Sequence, residues 1–120
     1  MNAPLATLAP TTPAIASWSE VCALDDIMPS SGVCALIDGR QIAIVRVADQ
    51  VYALSNFDPF SRAMVLSRGI VGDAKGVPKI ASPVYKQGFD LRTGRCLDDA
   101  GVRIPTYPCR VVDGRVQVQA

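Results

Sequence analysis

The chain reverses direction repeatedly. Ile, Val and Ala crowd residues 32–37 and 42–47 on either side of Asp38-Gly39, and the arrangement returns near the end, where residues 109–112 and 115–118 flank Asp113-Gly114. Asp-Gly suits the two positive φ values of a type I′ turn, the tight connection between antiparallel strands. A further reversal at residues 48–50 leads into residues 51–54, completing a three-strand meander. No segment holds a helical period for three turns, so short strands separated by turn residues imply an antiparallel all-β domain.

At 120 residues the chain supports one domain with one core. An apolar share of 49% with 19% charged residues argues against disorder over most of its length. Residues 1–17, rich in Ala, Pro and Thr, have neither period and are expected to form an unstructured leader, or an arm that orders on a partner subunit. The domain is then 18–120, with a first strand at residues 18–22 and a turn at residues 24–29 closed by Pro29.

Composition excludes several functions. The net charge is +1 and the basic residues are scattered or sit beside acids, so no stripe tracks phosphates and nucleic acid is not expected as a partner. No apolar run approaches the roughly 20 residues of a membrane span. The leader lacks the Lys or Arg of a signal peptide, and Pro4, Pro10 and Pro13 interrupt its apolar residues. A cytoplasmic protein with reduced thiols is expected. Cys22, Cys34, Cys96 and Cys109 contain no Cys-x-x-Cys pair of the kind zinc sites use, and each lies in or beside an apolar segment, where a thiol is expected to pack as a small core residue.

Residues 56–77, with Pro59, Gly69, Gly72 and Gly76, are expected to be a loop-rich insertion. Residues 79–97 follow it. Their second half is a hairpin in which Phe89 and Leu91 point one way and Asp90 outward, Thr93-Gly94 reverses, and Cys96-Leu97 starts the return. In the first half, Pro83 has no N–H to pair and turns Ser-Pro-Val-Tyr into a loop. Beyond lie a polar turn at residues 98–101 and an alternating piece at 102–104 before Pro105.

Ser-Pro-Val-Tyr-Lys-Gln-Gly-Phe-Asp-Leu-Arg-Thr-Gly-Arg-Cys-Leu, ending at Leu97, resembles the second cluster loop of Rieske iron–sulfur domains, and Leu-Ser-Asn-Phe-Asp-Pro-Phe, ending at Phe60, resembles the first. The likeness runs over residues 18–118. It implies an antiparallel sandwich or barrel in which the last strands rejoin the first meander and a smaller loop-rich subdomain caps one end. The family's first Cys and His fall on Asp58 and Phe60, and its second pair on Ser82 and Tyr85. A Rieske centre takes two thiolates and two imidazoles, and this chain has no histidine. No cluster is expected.

Within that superfamily the chain resembles the cluster-free small subunits of assimilatory NAD(P)H-dependent nitrite reductases. The resemblance implies a large-subunit partner that carries FAD, sirohaem and an iron–sulfur cluster and reduces nitrite to ammonium, with no cofactor in this chain. Alternatives from other classes are a Rieske-type ferredoxin electron carrier and a Rieske-like adaptor for another oxidoreductase.

Chemistry inside the chain has thin support. Asp58, Asp90, Asp98 and Asp99 are expected to be structural, with Asp58 capping backbone N–H groups ahead of Pro59. Ser82 has no histidine to take its proton, and the glycines near Ser67 lack the lysine of a phosphate loop. Phe57, Phe60 and Tyr85 could fill the vacated volume, anchor an interface or stack on a ligand. A partner interface is expected from Phe57, Phe60 and Tyr85 with Arg62 and Lys86 as its rim.

Overall fold

The computed structural model describes residues 17–120, so nearly all of the expected leader lies outside the described residues. The strands run β1 (Trp18–Ala23), β2 (Ser31–Ile37), β3 (Arg40–Val47), β4 (Gln50–Ser55), β5 (Phe57–Asp58) and β6 (Ala63–Met64). They continue with β7 (Ile70–Ala74), β8 (Val77–Ala81), β9 (Gly88–Asp90), β10 (Thr106–Tyr107), β11 (Cys109–Val112) and β12 (Arg115–Gln119). All pairings are antiparallel, in sheets ordered β10-β4-β3-β2, β11-β12-β1, β9-β8-β7 and β5-β6. The Asp38-Gly39 and Asp113-Gly114 turns have positive φ at both residues, as type I′ turns require.

Strand β3 lies between two cores. Ile42 and Ile44 face Ile27, Ile37, Ala53, Val116 and Val118, whereas Ala43 and Val45 face Leu54, Leu66, Ile80 and Phe89. These four consecutive β3 residues are fully buried, and a strand covered on both faces reads as a continuous apolar run. On one side lies the β11-β12-β1 sheet, where the chain's last strand pairs with its first. The Arg115–Glu20 ion pair at 3.0 Å and the Arg110 guanidinium, 3.9 Å from the centre of the Trp18 ring, reinforce that closure. On the other side lies the loop subdomain with the β9-β8-β7 sheet.

Three expectations are corrected. Residues 56–77 are not only loop: Lys75-Gly76, with φ of 55° and 87°, joins β7 to β8 in a hairpin. The apolar pieces were too short to mark it. Cys34 is exposed instead of packing in the core, because β2 is an edge strand that turns Val33, Ala35 and Ile37 inward and Cys34 and Leu36 outward.

Asp90 is buried, not an outward surface residue. Its Oδ1 accepts the Arg92 N–H at 2.8 Å and both its oxygens meet the Arg92 guanidinium, while its carbonyl accepts the Gly94 N–H at 2.7 Å. The acid closes its own turn. The return segment forms no full strand and is held by single bridges, Phe89 with Cys96 and Arg95 with Arg103, and by backbone bonds such as that from the Leu97 N–H to the Gly88 carbonyl.

Gly94 shows how tightly that turn is packed. Its φ is +81°, and a Cβ there would overlap the Ile104 carbonyl oxygen, whereas Gly114, at φ +74°, has open space around it. Gly114→Ala is expected to cost about 1 kcal/mol through the left-handed backbone alone, and Gly94→Ala roughly 3 kcal/mol because a steric overlap is added. Urea unfolding of both variants checks the difference.

Candidate functional site

The two loops at the end of the subdomain share one construction. In the first, the Asp58 Oδ1 accepts the Phe60 N–H at 2.9 Å and the Asp58 carbonyl accepts the Arg62 N–H at 2.7 Å. In the second, the Ser82 hydroxyl oxygen accepts the Val84 N–H at 3.2 Å and the Ser82 carbonyl accepts the Lys86 N–H at 3.1 Å. Each loop thus reads acceptor, Pro, two residues, then a basic residue. Both basic residues sit in the left-handed region, Arg62 at φ 62° and Lys86 at φ 68°.

The two acceptors meet. The Ser82 hydroxyl donates to Asp58 Oδ2 at 2.5 Å, and the Ser61 hydroxyl donates to the same oxygen at 2.7 Å. Asp58 and Ser82 are wholly buried. Burial by itself would raise the Asp58 carboxyl pKa, but hydrogen bonds from the Ser82 and Ser61 hydroxyls and from the Phe60 and Ser61 N–H groups outweigh it and hold it below the usual carboxylate range. At neutral pH the pair is a carboxylate and its donors, and its geometry leaves neither oxygen without a partner.

The other two positions diverge. Phe60 is half-buried and packs on the core, with its ring centroid 6.3 Å from that of Phe89, so it fills space between loop and sheet. Tyr85 is 61% exposed and Phe57 38%, and Arg62 and Lys86 are exposed beside them. The capping role expected of Asp58 is present, and the bridge to Ser82 adds to it.

A [2Fe-2S] cluster does not fit this donor set. The positions that would supply thiolates hold an aspartate and a serine bonded to each other, and those that would supply imidazoles hold a phenylalanine turned into the core and a tyrosine turned outward. None is a soft ligand or an imidazole. Among the described residues no group of three or more His, Cys, Asp or Glu could hold a metal ion, and no helix is long and apolar enough to cross a membrane. Cys96 is in the core, and burial pushes the Cys109 thiol up to about 12.

Asn56 went unnoticed in the sequence. It is buried, its Oδ1 accepts the Ser67 N–H at 2.7 Å, and its Nδ2 donates to Gln41 Oε1 at 3.2 Å and faces Cys34 Sγ at 3.5 Å. Its main chain donates to the Gln41 carbonyl and accepts the Leu66 N–H. It fastens the loop subdomain to β3 just before the first loop. Its only sequence signal was position, at the end of β4. Gln87 in the second loop has a buried Oε1 with no donor in reach.

A two-layered β domain with a loop subdomain at one end, and two Pro-containing loops facing each other there, is the Rieske architecture. The profile of the Rieske-like [2Fe-2S] domain matches residues 17–119, and the chain belongs to that family. It is 46% identical to the nitrite reductase (NADH) small subunit of Salmonella typhimurium over 107 residues, 88% of this chain and 99% of the relative. The solved nitrite reductase [NAD(P)H] small subunit of Erwinia carotovora superposes with a TM-score of 0.73 at 48% identity, covering 86% of this chain and 81% of that one. The Klebsiella oxytoca nitrite reductase [NAD(P)H] large subunit contains a stretch 46% identical over 101 residues, 84% of this chain and 11% of that protein.

Ser82→Ala is expected to destabilise the fold by about 1–3 kcal/mol, the range for losing a hydrogen bond to a buried charged group. Asp58→Ala, which strands several donors at once, should cost roughly 3 kcal/mol. Because the Asp58 pKa is depressed on folding, its contribution is complete above the unfolded carboxylate value of about 4 and is lost as pH falls through the lower folded value. Chemical denaturation between pH 7 and pH 2 should therefore give a shallower acid limb for Asp58→Asn than for the parent.

Proposed function

We propose that this chain is the cluster-free small subunit of an NAD(P)H-dependent nitrite reductase and that it acts by binding the large subunit, not by carrying electrons. The observation that carries the reading is the Asp58–Ser82 bond at the vacated cluster position, in a chain alike to nitrite reductase small subunits along nearly its whole length. A relative in which the same domain is part of a large subunit supports physical association of the two. The partner would hold the FAD, sirohaem and iron–sulfur cluster and reduce nitrite to ammonium in the cytoplasm. A subunit that binds only the native form of its partner stabilises it by mass action, by about 2.7 kcal/mol at a hundredfold excess over Kd. The contribution is to assembly and retention of an active enzyme.

Co-purification from native cells tests this. The tagged chain should recover a sirohaem flavoprotein, and the isolated chain should show neither visible absorption nor stoichiometric iron. Recovery of an unrelated oxidoreductase would favour the adaptor reading. Two irons per chain with a visible spectrum would restore the ferredoxin reading.

A further inference from the structure

The exposed apolar surface is unevenly placed. Of nine large apolar side chains that stand exposed among the described residues, six belong to the loop subdomain: Phe57, Met64, Ile70, Val84, Tyr85 and Leu97. Apolar surface concentrated in one region of a small domain marks a contact surface more often than solvent-facing accident. The Ile70, Ala81 and Gly88 positions pair across one end of the β9-β8-β7 sheet, the Leu97 N–H donates to the Gly88 carbonyl, and Val84 and Tyr85 lie just beyond Ala81. Phe57 and Met64 pair with each other on the hairpin that the Asp58–Ser82 bond ties to the second loop.

Charge is equally uneven. Residues 56–104 carry eight Lys and Arg against five Asp, a balance of +3, and the rest of the chain carries four Arg against six Asp and Glu, a balance of −2. Two of those five Asp, Asp58 and Asp90, are buried and bonded internally, and Asp98 Oδ2 accepts the Gly88 N–H. Arg62 and Lys86 have no carboxylate partner among the described residues. The Lys86 ammonium reaches only the Pro83 carbonyl of its own loop, at 3.4 Å. The same turn construction therefore presents one unpaired cation from each loop beside exposed aromatic and aliphatic groups.

We propose that this loop end, with Tyr85, Val84 and Phe57 as apolar contacts and Arg62 and Lys86 as flanking cations, docks on an apolar surface bordered by acidic groups on the nitrite reductase large subunit. The proposal rests on the partner named above and adds the face and its chemistry. Loops already fixed by Asp58 and Ser82 lose little freedom on binding, so contact area is converted into affinity efficiently. Tyr85 brings a large rigid group with few torsions to freeze. The cations act mainly on encounter rate and salt dependence.

The test is binding of the purified large subunit from the same organism to the full chain, followed by surface kinetics at low and high salt. Tyr85→Ala should weaken Kd at least tenfold, and Arg62→Glu with Lys86→Glu should slow association and remove most of its salt dependence. Val112→Ala, an exposed apolar change on the β11–β12 hairpin, should leave Kd within twofold. All these side chains are exposed, so unchanged melting temperatures separate lost contact from lost fold. Binding of the parent with equal affinity for the Tyr85 and charge-reversed variants, or a loss in Val112→Ala as large as theirs, overturns the docking face and leaves the partner intact. Absence of binding by the parent chain overturns both.

Discussion

Two-sided burial of β3 is the constraint on which the architecture depends. With Ile42, Ala43, Ile44 and Val45 all removed from water, the strand needs a layer on each face. One comes from the terminal strands β11, β12 and β1, the other from the loop subdomain. Each fully buried Ile or Val contributes about 1.5–3 kcal/mol relative to exposure, so both layers are needed to keep these side chains out of water. The loop subdomain is thus part of the core's cover, and its orientation is set by Leu66, Ile80 and Phe89 packing on Ala43 and Val45. That packing, with the Asp58–Ser82 bond, is why the two loops face one another.

What replaces the cluster is chemically modest. A cluster would cross-link the loops through four ligands; here the Ser82 hydroxyl bonded to the Asp58 carboxylate makes the crossing, while the Ser61 hydroxyl and the Phe60 and Val84 N–H groups hold each loop in shape from within. The substitution keeps the loops close and leaves none of the four positions with a thiolate or an imidazole. Burying the carboxylate is tolerable because each of its oxygens is satisfied by short, charge-assisted hydrogen bonds. Phe60 adds apolar volume beneath the first loop and Tyr85 remains free above the second, which turns one pair of former ligand positions into a core contact and an exposed group.

Much of the fold was legible because turn chemistry is local. Asp38-Gly39 and Asp113-Gly114 specify their hairpins through backbone sterics alone, and the absence of histidine excludes a Rieske ligand set without any coordinates. The β7–β8 hairpin was missed because Lys75-Gly76 is a weaker turn signal than Asp-Gly and Pro78 interrupts the second strand. Asp90 and Cys34 were misplaced for a shared reason. Period-two alternation says that neighbouring residues face opposite ways, but not which of the two faces another layer will cover.

The sequence by itself determined the hairpins at Asp38-Gly39 and Asp113-Gly114, their turn type and the loss of the metal ligands, since each depends on residues adjacent in the chain or on composition. Only the tertiary structure decided that Asp58 reaches Ser82, that Asn56 anchors the loops to β3, and that Phe60 turns inward while Tyr85 stays in solvent. Those outcomes join groups far apart in sequence, and they are fixed by how the layers pack, a quantity that no local pattern encodes.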